Sequence, residues 1–276
     1  MNLHESSNNS RQQANIELID VGGYKLAIIC EGSGCPTIVL DAGMGDTSEI
    51  WREVQHSIAQ FTQVCSYDRA GCGRSDPGPL PRTSQNVVTD LHALLMRANI
   101  SGPYILVGHS FGGYTVRLYA NNYPNDVAGV VLVDSALPDL DMVKIMPPET
   151  MGEPDALREA RKALHEEKMH NAEGIDNVLS DEQMRSVISL GSVPLVVMTR
   201  ASDAWIQMIM TMFPGFPYDI ALTLEQGWQE HQRNLLHLSS ESRQVFALHS
   251  GHYIHVDEPE LVVNTIRTMV EMIRQR

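Results

Sequence analysis

A serine between glycines stands near the middle of the chain and could act as a nucleophile. Residues 108–112 read GHSFG, a G-x-S-x-G sequence centred on Ser110. The apolar run 103–107 leads into it as a predicted strand, and a helical stretch follows. A tight strand-to-helix turn exposes the serine, and it needs glycines because side chains would clash there. The N-terminus of the following helix also favours negative charge that develops beside Ser110.

A serine hydroxyl requires a base within hydrogen-bond reach, and that base requires an acid to orient it. His252 is the best candidate base, since it follows the last predicted strand. Gly251 precedes it, so that a flexible loop can present the imidazole to Ser110. Three other histidines lie close to these motifs and are predicted to be structural or solvent-facing: His109, His249 and His255.

The elements that would hold these residues follow from the hydrophobic pattern. Continuous apolar runs alternate with stretches of helical spacing, which predicts a mostly parallel sheet covered by helices on both faces, preceded by an antiparallel hairpin. The predicted strands are 16–21, 24–30, 36–41, 62–67, 103–108, 127–134, 193–199 and 244–248. The predicted helices are 47–60, 83–98, 110–123 and a last helix that begins with a capping box of Asp257 and Glu260.

Two stretches interrupt the alternation of strands and helices. Residues 137–190 and 203–240 are mainly helical and contain no predicted strand. We predict a single domain whose core comprises residues 16–136 and 191–276, with residues 137–190 inserted as a helical cap. The second stretch can contribute to the same lid. The polar residues 1–15 are predicted to form a disordered lead-in.

Composition excludes several classes of function. The chain has 276 residues and a formal net charge of −14, which argues against nucleic acid and anionic membranes as partners. No apolar run approaches the roughly 20 residues of a membrane span, and the N-terminus lacks the apolar region of a signal peptide, so we predict a cytoplasmic protein. No cofactor or metal is predicted. Without CxxC spacing, four reduced thiols are expected: Cys30, Cys35, Cys65 and Cys72.

Three further motifs accompany the G-x-S-x-G sequence in a fixed order. Residues 42–45 (AGMG) follow the third predicted strand, residues 68–75 (DRAGCGRS) follow the fourth, and residues 250–252 (SGH) follow the last. With these motifs the chain resembles the α/β-hydrolase superfamily from about residue 16 to its end. The resemblance implies an eight-stranded, mostly parallel sheet flanked by helices, with a helical cap insertion and a Ser-His-Asp triad.

The resemblance also implies an oxyanion hole formed by the backbone N–H groups of Met44 and Phe111. The chain departs from the family at Asp41 and Ala42, where a histidine usually precedes the glycine. A serine at the elbow argues against dehalogenase and epoxide hydrolase chemistry, because those reactions need an aspartate there.

The acid of the triad has two candidates. Asp134 ends the strand after the elbow, whereas Asp203 follows the next strand, where the broad family most often carries its acid. Two features favour Asp134. Asp203 is 49 positions from His252, more than the family's usual gap, and residues 228–232 (WQEHQ) resemble a bacterial subgroup without a fixed acid after the later strand.

These features predict a hydrolase of carboxylic esters that works through an acyl-enzyme. Met208 and Met212 are four residues apart and would share a helix face, either in an apolar substrate pocket or in ordinary packing. The predicted substrate is accordingly a small or medium apolar ester. The same triad could cleave a lactone, an amide or peptide, or a C–C bond, and a ligand-binding protein with a hydrolase-like pocket is the alternative outside the enzymes. The sequence does not indicate the oligomeric state.

Overall fold

The computed structural model describes residues 16–138, 145–169 and 173–276, with side chains to residue 166 in the second range. The predicted lead-in, residues 1–15, lies outside the described residues. Residues 139–144 and 170–172 of the predicted cap also lie outside them. Within the described part, no helix is long and apolar enough to cross a membrane.

One eight-stranded sheet forms the centre of the molecule, in the order β1-β2-β4-β3-β5-β6-β7-β8. The strands are β1 (Ile16–Asp20), β2 (Lys25–Glu31), β3 (Thr37–Asp41), β4 (Val64–Tyr67), β5 (Tyr104–His109), β6 (Val127–Val133), β7 (Leu195–Arg200) and β8 (Ser242–Ala247). Strand β2 runs antiparallel to β1 and β4, and all other neighbours are parallel. The predicted mostly parallel sheet of eight strands is therefore confirmed.

Helices cover both faces of this sheet. They are α1 (Arg52–Ile58), α2 (Ser84–Arg97), α3 (Gly112–Asn122), α4 (Asp155–Met169), α5 (Asn177–Arg185), α6 (Ser202–Met212), α7 (Tyr218–Asn234), α8 (Ile254–Asp257) and α9 (Pro259–Arg274). Along β5, Leu106 packs against α2 and α3, while Ile105 and Val107 pack against α1 and α9. Burial on both faces explains why the central strands are continuously apolar instead of alternating.

The helical stretches outside the alternation pack in two different places. Met146 and Leu157 form a hydrophobic cluster with Trp205, Phe216 and other residues of α6 and α7. This cluster joins residues 145–166 of the predicted cap to the second helical stretch. At the other end of the predicted cap, Ile175, Met184, Val187 and Leu190 pack into the core beside α2 and α3.

The predicted capping box of the last helix is wrong. Helix α9 begins after Glu258 and has no side-chain cap. The Asp257 carboxylate instead accepts a hydrogen bond from the Gly251 N–H at 2.9 Å. Glu258 accepts bonds from the His249 N–H (2.8 Å) and the Ser250 hydroxyl (2.6 Å). The carboxylates before α9 therefore fix the loop that leads into residue 252.

The prediction of four reduced thiols is also wrong. Cys30 and Cys65 form a disulfide. They are 35 positions apart in sequence, but β2 and β4 are antiparallel and pair these two residues directly, with Cα atoms 4.1 Å apart. Cys35 is an exposed free thiol and Cys72 a buried one. Spacing along the chain could not reveal a pairing that depends on strand register.

Candidate active site

The turn that carries the predicted nucleophile lies between β5 and α3. Ser110 has a φ of 49°, in the left-handed region that is costly for residues other than glycine. A Cβ atom on Gly108 would come 2.4 Å from the carbonyl oxygen of Gly112, and a Cβ on Gly112 would come 2.5 Å from that of Asp41. Both glycines are therefore required by close backbone approach. The second contact also places the turn directly against the end of β3.

The loop that follows β3, residues 42–45, carries the predicted oxyanion donor Met44. Phe111, which carries the other predicted donor, is buried immediately before α3. Because Gly112 touches the backbone at Asp41 and Ala42, loop 42–45 lies beside the serine turn. The structure thus brings together the two segments that the family resemblance assigns to an oxyanion hole.

A buried arginine that sequence analysis did not single out holds loop 42–45. The Arg69 guanidinium donates to the carbonyl oxygens of Ala42 (2.6 Å) and Gly43, and to the Asp41 carboxylate (2.5 Å). It also donates two bonds of 2.7 Å to Glu173, 104 positions later in the chain. This arrangement gives Asp41, which departs from the family motif, a partner in the interior.

Glu173 also binds the same loop directly. One of its carboxylate oxygens accepts the Gly45 N–H at 2.8 Å. Burial by itself would raise the pKa of Glu173, but the Arg69 charge and the hydrogen bonds from Arg69 and Gly45 hold that pKa below its usual value. For Asp41 burial is the stronger effect, and its pKa is raised despite Arg69. Glu173 therefore favours its charged form, in which it can accept bonds from both groups.

The predicted base is paired with one of the two candidate acids. His252 Nδ1 lies 2.7 Å from a carboxylate oxygen of Asp134, which directly follows β6 and is completely buried. Trp228 Nε1 donates to the other oxygen at 2.9 Å, and Arg200 donates through its guanidinium at 3.1 Å. Burial would raise the pKa of Asp134, but Arg200, His252 and Trp228 outweigh it and hold that pKa below its usual value.

The other candidate acid lies elsewhere. Asp203 is exposed in the first turn of α6 and lines a surface cleft of about 370 Å³ with Tyr218 and Gln226. Among the described residues, no hydrogen bond or ion pair joins Asp203 to His252. Of the two candidate acids, Asp134 is therefore the one that contacts His252.

Two buried histidines support the backbone around His252. His109 donates through Nε2 to the His252 carbonyl oxygen at 3.0 Å, and His255 stacks on Trp51 with ring centroids 4.1 Å apart. Burial lowers the pKa of His255 to about 3 and that of His109 well below its usual value. Both rings are therefore neutral at physiological pH. His249, by contrast, is exposed.

The methionine pair of α6 does not face the interior. Met208 and Met212 are 44% and 61% exposed, while Trp205, Ile206 and Ile209 of the same helix are buried. The pair therefore lies on the outer face of this helix.

The residues that sequence analysis missed are the partners of the motif residues. Arg69 lies within the 68–75 motif, and Trp228 within the 228–232 resemblance, but neither pattern indicated a contact. Arg200 ends β7 after an apolar strand, which was a detectable signal, because an arginine there must find a partner or leave the interior. Glu173 gave no signal, since its partners are far away in sequence.

The chain resembles known proteins over most of its length. The family model for the α/β hydrolase fold matches residues 36–218. The uncharacterised protein YqjL of Bacillus subtilis is 30% identical over 232 residues, which cover 84% of this chain and 82% of that protein.

Solved structures share the fold at low identity. A thermophilic esterase from Thermogutta terrifontis superposes with a TM-score of 0.66 at 19% identity, covering 94% of this chain and 99% of that one. A loop variant of a haloalkane dehalogenase from Bradyrhizobium elkanii superposes with a TM-score of 0.68 at 16% identity, covering 95% and 98%. These neighbours differ in chemistry, so they establish the architecture alone. With the family model matching well over half of its residues, the chain is a member of the α/β-hydrolase family.

Proposed function

We propose that the protein hydrolyses carboxylic esters through an acyl-enzyme formed on Ser110. The observation that carries the proposal is the pairing of His252, on the loop after β8, with Asp134 at 2.7 Å. His109, the neighbour of Ser110 on the strained turn, binds the backbone of the same His252. A serine on this turn supports acyl transfer, whereas halide displacement and epoxide opening in this family use an aspartate there.

In the proposed mechanism His252 takes the proton of the Ser110 hydroxyl as it attacks the ester carbonyl. Asp134 holds the imidazole with Nδ1 protonated, so that Nε2 is free to act as the base, and its charge stabilises the imidazolium that forms. The N–H groups of Met44 and Phe111 stabilise the oxyanion. His252 then protonates the leaving alcohol. It next takes a proton from a water molecule that attacks the acyl-enzyme, which releases the carboxylic acid, and His252 returns the proton to Ser110.

Labelling and turnover test this proposal together. The purified protein is incubated with a fluorophosphonate probe and with p-nitrophenyl esters of increasing chain length. We expect labelling at Ser110 and ester turnover, and we expect both to be abolished in Ser110→Ala. An active Ser110→Ala variant would refute the mechanism.

The substrate panel separates this function from its alternatives. Lactones, aryl amides and β-diketones are offered to the same preparation. If Ser110 is labelled and the protein turns over one of these compounds but none of the esters, the bond in that compound replaces the ester as the proposed target. Tight binding of an ester without labelling or turnover would indicate a binding protein. The chain-length preference among esters then measures the size of the acyl pocket.

A further inference from the structure

A second buried arginine lies next to the carboxylate that orients His252. The side chain of Arg200 is 2% exposed, and its guanidinium donates to Asp134 at 3.1 Å. Its backbone N–H points at the other Asp134 oxygen, 3.4 Å away. The guanidinium also lies over the indole ring of Trp228, 4.5 Å from the centroid. Arg200 is thus held in place from two sides, in direct contact with Asp134.

A second carboxylate balances this arginine on its far side. Glu225 of α7 accepts a bond of 2.6 Å from Arg200 and is itself 1% exposed. Gln229, one turn along α7, donates to the other Glu225 oxygen at 2.7 Å and to the Arg200 carbonyl oxygen at 3.2 Å. The charges of Glu225, Arg200 and Asp134 therefore alternate in sign along one line of contacts, which continues from Asp134 to the His252 imidazole.

Other titratable groups near His252 do not reproduce this line. His109 and His255 face it but are neutral at physiological pH because they are buried. Asp46, half-buried after loop 42–45, also interacts electrostatically with His252. Tyr253, the next residue in the chain, places its ring 5.5 Å from the imidazole. Asp134 contacts both Arg200 and His252, and so it connects the imidazole to Arg200 and, through Arg200, to Glu225.

We propose that Arg200 and Glu225 are positioning residues that set the proton affinity of His252 through Asp134. The positive charge of Arg200 offsets the Asp134 carboxylate, so that Asp134 stabilises the protonated imidazole of His252 less. The negative charge of Glu225 offsets Arg200 in turn and restores part of this stabilisation. Removing Arg200 must therefore raise the titration midpoint of His252, and removing the charge of Glu225 must lower it.

The opposite signs distinguish this role from simple structural support. Arg200→Met keeps the length of the side chain without its charge, and we expect the His252 midpoint to rise by about one pH unit. Glu225→Gln is nearly isosteric, and we expect a fall of about half a unit, because the lost charge is farther away. Arg200→Lys keeps the charge and should leave the midpoint close to that of the unmodified protein. Glu230→Gln removes a carboxylate charge from the exposed face of the same helix and should not shift it.

NMR titration of the full chain measures the midpoint without any substrate. Histidine labelled with ¹³C at Cε1 gives a signal for each of the 11 histidines, and loss of one signal in His252→Asn assigns residue 252. Shifts of opposite sign in Arg200→Met and Glu225→Gln support the proposal. Unchanged midpoints, or shifts of the same sign, overturn it. If Arg200→Met does not fold, Glu225→Gln decides alone: a fall supports the proposal and no change refutes it.

The kinetic arm rests on the proposed esterase function. The acidic limb of kcat/KM against pH reports groups of the free enzyme and should move with the NMR midpoint in each variant. Opposite NMR shifts in a protein that does not turn over esters would leave this inference standing while the proposed function fails. Ester turnover with an NMR midpoint that does not shift in the variants would support the proposed function and refute this inference.

Discussion

Two buried arginines, Arg69 and Arg200, hold the two halves of the candidate site. Each side chain is 2% exposed, and each guanidinium binds one carboxylate at the end of a sheet strand and one from a stretch outside the alternation of strands and helices. Arg69 binds Asp41 and Glu173 and holds two backbone carbonyls of loop 42–45 as well. Arg200 binds Asp134 and Glu225. The first cluster therefore fixes a backbone shape, whereas the second acts on the charge beside His252.

The two bridging glutamates differ in the same way. Glu173 receives bonds from Arg69 and from the Gly45 N–H, which outweigh burial and lower its pKa. For Glu225 burial outweighs the Arg200 charge, and the nearby Asp134 carboxylate adds to it, so that its pKa is raised. The surroundings of Glu173 therefore favour its anion, whereas burial and the Asp134 charge disfavour the anion of Glu225 despite Arg200 and Gln229.

The largest effect is expected where the second cluster meets the imidazole. Asp134→Asn removes the charge that stabilises the imidazolium and favours the wrong tautomer of His252, so kcat should fall about 10⁴-fold. Asp203→Asn is the matched control and should stay close to the unmodified protein, because Asp203 is exposed on α6. Ester turnover by both variants checks the assignment. A large loss in Asp203→Asn with little loss in Asp134→Asn would reverse it.

The first cluster should respond to the loss of its arginine without any change in pH dependence. Arg69→Met releases loop 42–45, which misplaces the Met44 N–H, and kcat should fall about 10²- to 10³-fold, as for loss of one oxyanion donor. The acidic limb of kcat/KM should keep its midpoint, unlike that of Arg200→Met.

Arg74→Met provides the control for this prediction. Arg74 lies in the same 68–75 motif, but its side chain is 41% exposed, and kcat should hardly change. Arg69→Met leaves two buried carboxylates without the guanidinium, which can destabilise the fold. Circular dichroism therefore checks that this variant is folded. A shifted midpoint in a folded Arg69→Met would remove the distinction between the two clusters.

A smaller effect is expected at the glutamate that ties loop 42–45 to the region after α4. Glu173→Gln keeps an acceptor near the Gly45 N–H but loses the charge that faces Arg69, and kcat should fall about tenfold with little change in KM. Glu182→Gln, an exposed position on α5, is the control. Steady-state kinetics of both variants measure kcat and KM separately. A rise in KM at constant kcat would mean that Glu173 acts on substrate binding instead of on the loop.

The sequence predicted those parts of the site that depend on short motifs. Ser110 lies on the turn that its glycines required, and the buried strands were legible as continuous apolar runs. The sequence also favoured Asp134, which the structure places against His252. The position of Arg200 at the end of an apolar strand was a detectable signal, but the carboxylate partners of the two arginines could not be predicted, because they are 25 to 104 positions away in sequence. The Cys30–Cys65 disulfide was missed for a similar reason, since it depends on strand register.

The last and smallest difference between the clusters should be visible in stability against pH. A folded pKa below the unfolded value means that Glu173 contributes stability above about pH 4.5 that is lost as the pH falls through the folded pKa. A raised folded pKa gives Glu225 the opposite sign: its charge costs stability as the pH rises above about 4.5.

Urea unfolding of Glu173→Gln and Glu225→Gln from about pH 7 to about pH 3 separates these two cases. On acidification, the deficit of Glu173→Gln relative to the unmodified protein should narrow. Over the same range the free energy of unfolding of the unmodified protein should rise relative to that of Glu225→Gln. Protonation of Glu225 removes the cost of its buried charge, and the variant has no such charge to lose. Parallel curves for the two variants would mean that both glutamates sit in equivalent electrostatic surroundings, and the contrast between a cluster that fixes shape and one that sets charge would then have to rest on the kinetics alone.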